Sequence, residues 1–369
     1  MGNSQFYAYT PDYAVHPGEY LEEVLEAREM KKNELASRLG ISVKHLSQII
    51  NKKASINSEM ALQLQKILKI SANIWINMNS DYELFVAKDR EKEELKKHYE
   101  WLKKFPLSDL KKINVIPDTL KKDVLVEKLL EFFAIPSPEQ WEEYYNGEAV
   151  NFRKSEAFKS DLNYISTYIR VGEVFAKDVE VSPYSKDVFK ENLNEIRKLC
   201  AKKLDDKVVE EVKQICADSG VALVFVPAFK KTNISGVTKW LTSDKALIIM
   251  SFRHKTNDHF WFTFFHEAAH VLLHGKKEVF VDNIDGYHSD KEEEANNFSA
   301  KFLIPEKEYD SFCRKTNFEK NDILMFAKKI NIHPGIVVGR LQHDKVIGFN
   351  ALNEFKEKVL LNNKLNGFE

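Results

Sequence analysis

The chain carries one stretch whose residue types and spacing could do chemistry: Phe260-Trp-Phe-Thr-Phe-Phe-His266-Glu267-Ala268-Ala269-His270-Val-Leu-Leu-His274-Gly275. Residues four apart share a face of a helix, so His266 and His270 can each offer a ring nitrogen to one cation, with Glu267 beside the remaining open position. That arrangement is the HExxH pattern of zinc hydrolases. A cation so held lowers the pKa of water from about 15.7 towards roughly 7, and the adjacent glutamate can take that water's proton as it attacks a peptide carbonyl. The same five letters also arise in ordinary charged helices, where all three groups face solvent. Here Phe260, Trp261, Phe264, Phe265, Leu272 and Leu273 surround the motif, which predicts a buried helix whose imidazoles and carboxylate need partners. Gly275 is expected to stop the helix, leaving His274 in its last turn as a cap or as a partner of a ligand.

A catalytic site of this kind needs a third protein ligand, and Asp282, Asp285, His288, Asp290, Glu292, Glu293 and Glu294 are the candidates downstream. A helix is expected from Glu294 through Phe298 and Phe302 to Pro305. Glu294 shares the apolar stripe of Phe298 and Phe302, whereas Glu293 aligns with Asn297 and Glu292 with Asn296. On that pattern Glu294 is the expected ligand; the competing reading is a first-turn acid favoured by the helix N-terminus.

These residues, together with Ile234-Ser-Gly236-Val-Thr-Lys-Trp240 and Glu294-Ala-Asn-Asn-Phe-Ser-Ala-Lys-Phe-Leu-Ile-Pro305, resemble the ImmA/IrrE metallopeptidase-like family over roughly the second half of the chain. The resemblance implies zinc ligands at His266, His270 and Glu294, with Glu267 as general base, in a zincin-like domain. It also implies a repressor protein with a helix-turn-helix as substrate. Manganese or another divalent ion suits a site of two histidines and one carboxylate as well.

Elements that must position these groups follow from the surrounding pattern. Three short β-rich runs, Val221 to Val226, Gly236 to Leu241 and Ala246 to Ser251, precede the motif and predict a small antiparallel sheet packed on the two ligand-bearing helices. Its edge could hold an extended peptide by strand addition. Asp322 to Ile330 and Pro334 to Gln342 read as further helices. His333 and His343 are read as structural, with donation to an oxyanion as the other option.

At the other end, His16-Pro17-Gly18 opens a helical unit. Leu21, Val24, Leu25 and Arg28 space as one helix, Asn33 to Leu39 form a second, and Gly40-Ile41-Ser42 turns into a third, Val43 to Ile50, capped by Ser42. Between Lys31 and Lys53 six basic residues stand against Glu34. Two short helices joined by a glycine turn within a basic segment predict helix-turn-helix DNA binding, though such trios also serve as protein-docking modules. Val43, Lys44, Ser47 and Gln48 are expected at base edges, and Asn51, Lys52 and Lys53 at phosphates. From His16-Pro-Gly to Tyr82 this segment resembles HigA-type antitoxins within the Cro/CI-like repressor group. The resemblance implies operator DNA as partner, a homodimer, and a HigB-like toxin. One departure is Lys52, where that group more often has glycine, so a left-handed residue must fall on Asn51 or Lys52.

Composition bounds the rest. The 369 residues are 43% hydrophobic and carry 55 basic against 56 acidic side chains, so any nucleic-acid footprint must be local. Cys200, Cys216 and Cys313 lie far apart without a CxxC pair, which excludes a thiolate zinc site and suits a reducing, cytoplasmic setting. No apolar run reaches the length of a membrane span, so no membrane partner is expected. The expected architecture is mainly α with a small antiparallel sheet: a flexible arm over 1–15, a helix-turn-helix domain over 16–82, a helical linker or dimerisation region over 83–205, and an α+β peptidase domain over 206–369. The middle region reads as a spacer, or alternatively as a ligand sensor. Function is read as a repressor or antitoxin whose metallopeptidase domain cleaves itself or a partner regulator. The alternative is a catalytically silent metal-binding regulator that neutralises a toxin by binding.

Overall fold

A computed structural model describes residues 13–152, 162–229, 232–251, 256–283, 290–315 and 317–359. Most of the expected arm, and the candidate ligands Asp285 and His288, lie outside these residues. The chain divides into two compact units, one ending at His98 and the other beginning at Tyr99.

The first unit is helical: α1 (Pro17–Ala27), α2 (Lys32–Leu39), α3 (Val43–Ile50), α4 (Ser58–Leu68) and α5 (Ala72–Lys97). Gly40 takes the left-handed conformation after α2, and the Ser42 hydroxyl accepts from His45 N at 3.1 Å to cap α3, as the sequence predicts. Leu21, Leu35, Leu46, Ile49, Leu64 and Trp75 form its core. The helix that contains Tyr82 runs on without a break to Lys97, so position 82 lies inside α5. Lys52 carries the left-handed backbone, at φ 62°, while Lys52 N and Lys53 N bond back to Ile49 O and Gln48 O. This is the double bond of a Schellman end, and it explains why the position is left-handed.

In the second unit, α6 (Leu107–Lys112), α7 (Lys122–Phe133), α8 (Pro138–Phe152), α9 (Leu162–Ala176), α10 (Lys186–Leu199) and α11 (Asp206–Ala217) lead into β1 (Val221–Phe225), β2 (Ile234–Thr242) and β3 (Lys245–Met250). Then come α12 (Asn257–Leu273), β4 (Phe280–Asn283), α13 (Asp290–Leu303), α14 (Glu306–Phe312), α15 (Lys320–Ile330) and α16 (Pro334–His343). No helix among the described residues is long and apolar enough to cross a membrane.

The sheet order is β1-β3-β2-β4. Its β2–β3 and β2–β4 pairs are antiparallel, but β1 runs parallel to β3, so the expected antiparallel sheet is mixed. Both strands of the parallel pair are covered on both faces: Val221, Leu223, Ala246 and Ile248 join the main core, whereas Gly172 of α9 packs against Ile249 from the other side. Continuous apolar runs, rather than alternating ones, are what doubly covered parallel strands require. Helix α9, within the region read as a spacer, therefore packs against this sheet, and Tyr168 donates to Val226 O at 3.1 Å.

Arg197 of α10 fixes the far ends of two helices. Its guanidinium donates to Phe302 O at 2.7 Å, Leu303 O at 2.9 Å and Ile330 O at 3.2 Å, occupying carbonyls that α13 and α15 leave without helical partners. Hydrogen bonds to a charged donor contribute roughly 1.5–3 kcal/mol. Arg197→Met should lower stability by about that amount in a denaturant titration, and an unchanged midpoint would contradict this anchoring role.

Candidate metal centre

Helix α12 is buried over almost its whole length, with His266, Glu267 and His270 at 1%, 0% and 1% exposure. Burial of so many polar atoms demands partners from the neighbouring elements. On α13, Asn296 Oδ1 stands 2.9 Å from His266 Nδ1. At the end of α12, His274 Nδ1 stands 2.8 Å from His270 Nδ1, and Glu294 Oε2 stands 3.3 Å from His274 Nε2. Asn296 and the His274–Glu294 pair stand at the two Nδ1 atoms, so Nε2 is the nitrogen that each motif histidine turns towards the cluster; the two Nε2 atoms are 3.0 Å apart. Gly275 is not left-handed: α12 ends at Leu273, and an extended His274, at φ −109°, swings its ring back onto His270.

The third group at this point is Glu292. Its Oε2 lies 3.1 Å from His266 Nε2 and 3.5 Å from His270 Nε2. Glu294, the ligand expected from the apolar stripe, is 58% exposed and reaches His274 instead. The reason lies in how α13 packs. Phe302 of the apolar stripe sits against Phe265, so that stripe serves the hydrophobic side of α12. The polar stripe of Glu292 and Asn296 faces the imidazoles. The alignment of Glu292 with Asn296 is the sequence signal for this face.

Glu267 is held from β2. The Thr238 hydroxyl lies 2.6 Å from Glu267 Oε2 and 3.0 Å from its carbonyl oxygen, both acceptors, while Oε1 is buried without a hydrogen-bond partner. Asp282 of β4 joins His266 and Glu267 in a second group whose ligand atoms lie within 4.8 Å of one another. Burial pushes the Glu267 carboxyl well above the usual carboxylate range. Burial also opposes charge on both rings; nearby carboxylates, Glu292 foremost, outweigh it and raise His266, whereas His270, beside two other imidazoles, is lowered. Glu292 is lowered despite its burial because both rings bond to it.

This donor set fits a divalent cation. His266, His270 and Glu292 bring two nitrogens and one oxygen within 4.8 Å of one another, both Nε2 atoms face the cluster, and the buried Glu267 and half-buried Asp282 carboxyls stand beside them. Two nitrogens and one carboxylate, with no thiolate, suit zinc and related ions.

The residues expected at DNA divide. Val43, Lys44 and Gln48 are exposed on α3 and Ser47 is half-buried. The Asn51 amide folds back onto Ser47, donating to its carbonyl at 2.8 Å and its hydroxyl at 3.1 Å. Lys52 is paired with Glu19, and Lys53 is exposed.

Residues 21–75 match the helix-turn-helix family and residues 216–329 match the IrrE N-terminal-like domain. The chain belongs to the helix-turn-helix regulators and carries an IrrE N-terminal-like domain at its other end. Among curated proteins it is 33% identical to virulence-associated protein I of Dichelobacter nodosus, over 20% of this chain and 69% of that one. It is likewise 33% identical to the HTH-type transcriptional regulator YbaQ of Escherichia coli K12, over 21% and 73%. Among solved structures, a HigA-family addiction module antidote protein of Coxiella burnetii is 31% identical over 22% of this chain and 91% of that one, with a TM-score of 0.21. Antitoxin HigA of Pseudomonas aeruginosa with its higBA promoter is 29% identical, over 22% and 90%, with a TM-score of 0.22.

Gly236 of β2 exists to admit Glu267, since a Cβ there would stand 2.2 Å from Oε1. Gly236→Ala should cost about 1–3 kcal/mol by overpacking. In a double-mutant cycle with Glu267→Ala most of that cost should vanish; additive effects would show that the crowding lies elsewhere.

Proposed function

We propose that this chain is an operator-binding regulator whose C-terminal unit is a zinc-dependent peptidase acting on itself or on a partner regulator. The observation that carries the reading is that a helix-turn-helix and a cluster of His266, His270, Glu292 and Glu267 share one polypeptide. When bound, a zinc ion supplies Lewis-acid chemistry to a water and to a peptide carbonyl. His266, His270 and Glu292 would hold it. Glu267, buried on the same helix with Oε1 free, takes a proton from the attacking water and passes it to the leaving amine. Thr238 keeps that carboxylate aimed, and Asn296 and His274 keep both rings in the ligating tautomer. Glu294 acts through His274 as a positioning residue.

At the N-terminal end, Lys44 and Gln48 project from α3 where a helix in the major groove presents donors to base edges, and Lys53 meets phosphate. We read the DNA-bound form as a homodimer on a pseudo-palindromic operator.

Zinc content separates the two acids. Glu292→Ala should lose the ion, whereas Glu294→Ala should keep it with affinity weakened about 10–100-fold in a chelator competition; equal loss in both would break the assignment. Glu267→Gln should retain zinc and DNA binding while new N-termini disappear from a digest of proteins encoded beside the gene, read by mass spectrometry. Persistent cleavage would remove Glu267 as the base. In gel shifts on the gene's own promoter, Gln48→Ala should cost about 1–3 kcal/mol, and Lys53→Ala should reduce the log–log salt slope by about 1. Binding untouched by either change would exclude this face of α3.

A further inference from the structure

One cavity in the second unit shares its walls with the two ligand-bearing helices. It holds about 220 Å³, and Asp258, Phe262, Leu303, Ile304, Ile336 and Phe349 line it. On α12, Asp258, Phe262, His266 and His270 recur every four residues and so share a face. On α13, Glu292, Asn296 and Ala300 do the same, and Ala300 is also part of the lining. The Phe262 ring stands 6.4 Å from the His266 ring, centroid to centroid. The cavity thus begins about one helical turn, roughly 5.4 Å, from the ligand cluster. An extended peptide advances about 3.3 Å per residue, so a carbonyl held at the cluster brings a side chain one or two residues away over this cavity.

Size and lining choose the occupant. The volume falls below the roughly 300–1,000 Å³ of sites that take a whole small molecule, and Phe262, Leu303, Ile304, Ile336 and Phe349 give an apolar wall suited to one large apolar side chain, with Arg340, Gln342, His343 and Lys356 among the polar residues that also line it. Phe349, 71% exposed, offers an uncovered ring at the same place. Asp258, 6% exposed, joins the lining with its Oδ2 held by Lys356 Nζ at 2.8 Å.

We infer that this cavity is a specificity pocket: it takes a leucine, methionine or phenylalanine side chain of an extended peptide within two residues of the bond that is cut. The inference rests on the peptidase reading above, and two assays keep the fates of the two apart.

In the first assay, zinc-loaded full-length protein is given a degenerate peptide library and the cut sites are sequenced. Large apolar residues should be enriched at one position within two residues of the cut. Ala300→Phe, and more mildly Ala300→Leu, should fill the pocket from α13 and reduce that preference at least tenfold, with zinc content and circular dichroism unchanged. Cleavage without such a preference, or a preference that neither variant alters, overturns the proposal. In the second assay, full-length Glu267→Gln protein is titrated with a labelled alanine-rich decapeptide bearing one leucine, with its all-alanine counterpart, and with decanoate. The leucine peptide should bind at least tenfold more tightly than the all-alanine one, and Ala300→Phe should erase the difference. If that pattern holds while the wild type cuts nothing, the peptidase reading falls and the apolar peptide pocket stands. If decanoate binds and no peptide does, the pocket serves a small ligand and the proposal falls.

Discussion

Two imidazoles and a carboxylate buried in an otherwise apolar helix set the terms for everything packed around α12. Left without partners, such groups would each oppose folding by several kcal/mol. Each is answered from a different direction: β2 brings Thr238 to Glu267, α13 brings Asn296 and Glu292 to the rings, and the extended turn after Leu273 brings His274 back to His270. The close approach of β2 is possible only because Gly236 has no side chain. Polar satisfaction and ligand orientation are therefore the same set of contacts, which is how a metal centre is kept preorganised inside a core.

Much of this was legible in the residues. The HExxH spacing and its aromatic surround led to a buried helix with both histidines on one face, and the turn at Gly40 with the cap at Ser42 defined the helix-turn-helix. Two features were not. The third acid was assigned to the apolar stripe on the argument that a buried carboxylate wants a cation. In the structure the polar stripe of α13 faces the two imidazoles, so Glu292, aligned with Asn296, is the acid beside them, while Glu294 meets His274. The parallel pairing of β1 with β3 was missed because periodicity reports how many faces of a strand are covered, not the direction of its neighbour. Val221 to Phe225 and Ala246 to Met250 are continuous apolar runs, and that continuity was the clue to coverage by α9 on one side and the main core on the other.

The two units place different demands on their charges. Around α3 the basic residues are exposed or held in surface pairs such as Lys52 with Glu19, where water screens them and a polyanion can compete for them. Around α12 the buried Glu267 and the half-buried Glu292 and Asp282 crowd the two imidazoles, an arrangement whose charge a divalent cation would balance. A chain close to electrical neutrality overall thus keeps two local imbalances of opposite sign, one suited to phosphate and one to metal.

The central claim is that the cation is held by Glu292 and the two motif histidines, with Glu294 outside the coordination sphere. The most direct test is a crystal of the zinc-loaded protein measured on both sides of the zinc absorption edge. The account predicts one anomalous peak within bonding distance of His266 Nε2, His270 Nε2 and a Glu292 oxygen; a peak bonded to His274 and Glu294, or one lacking Glu292, would contradict it.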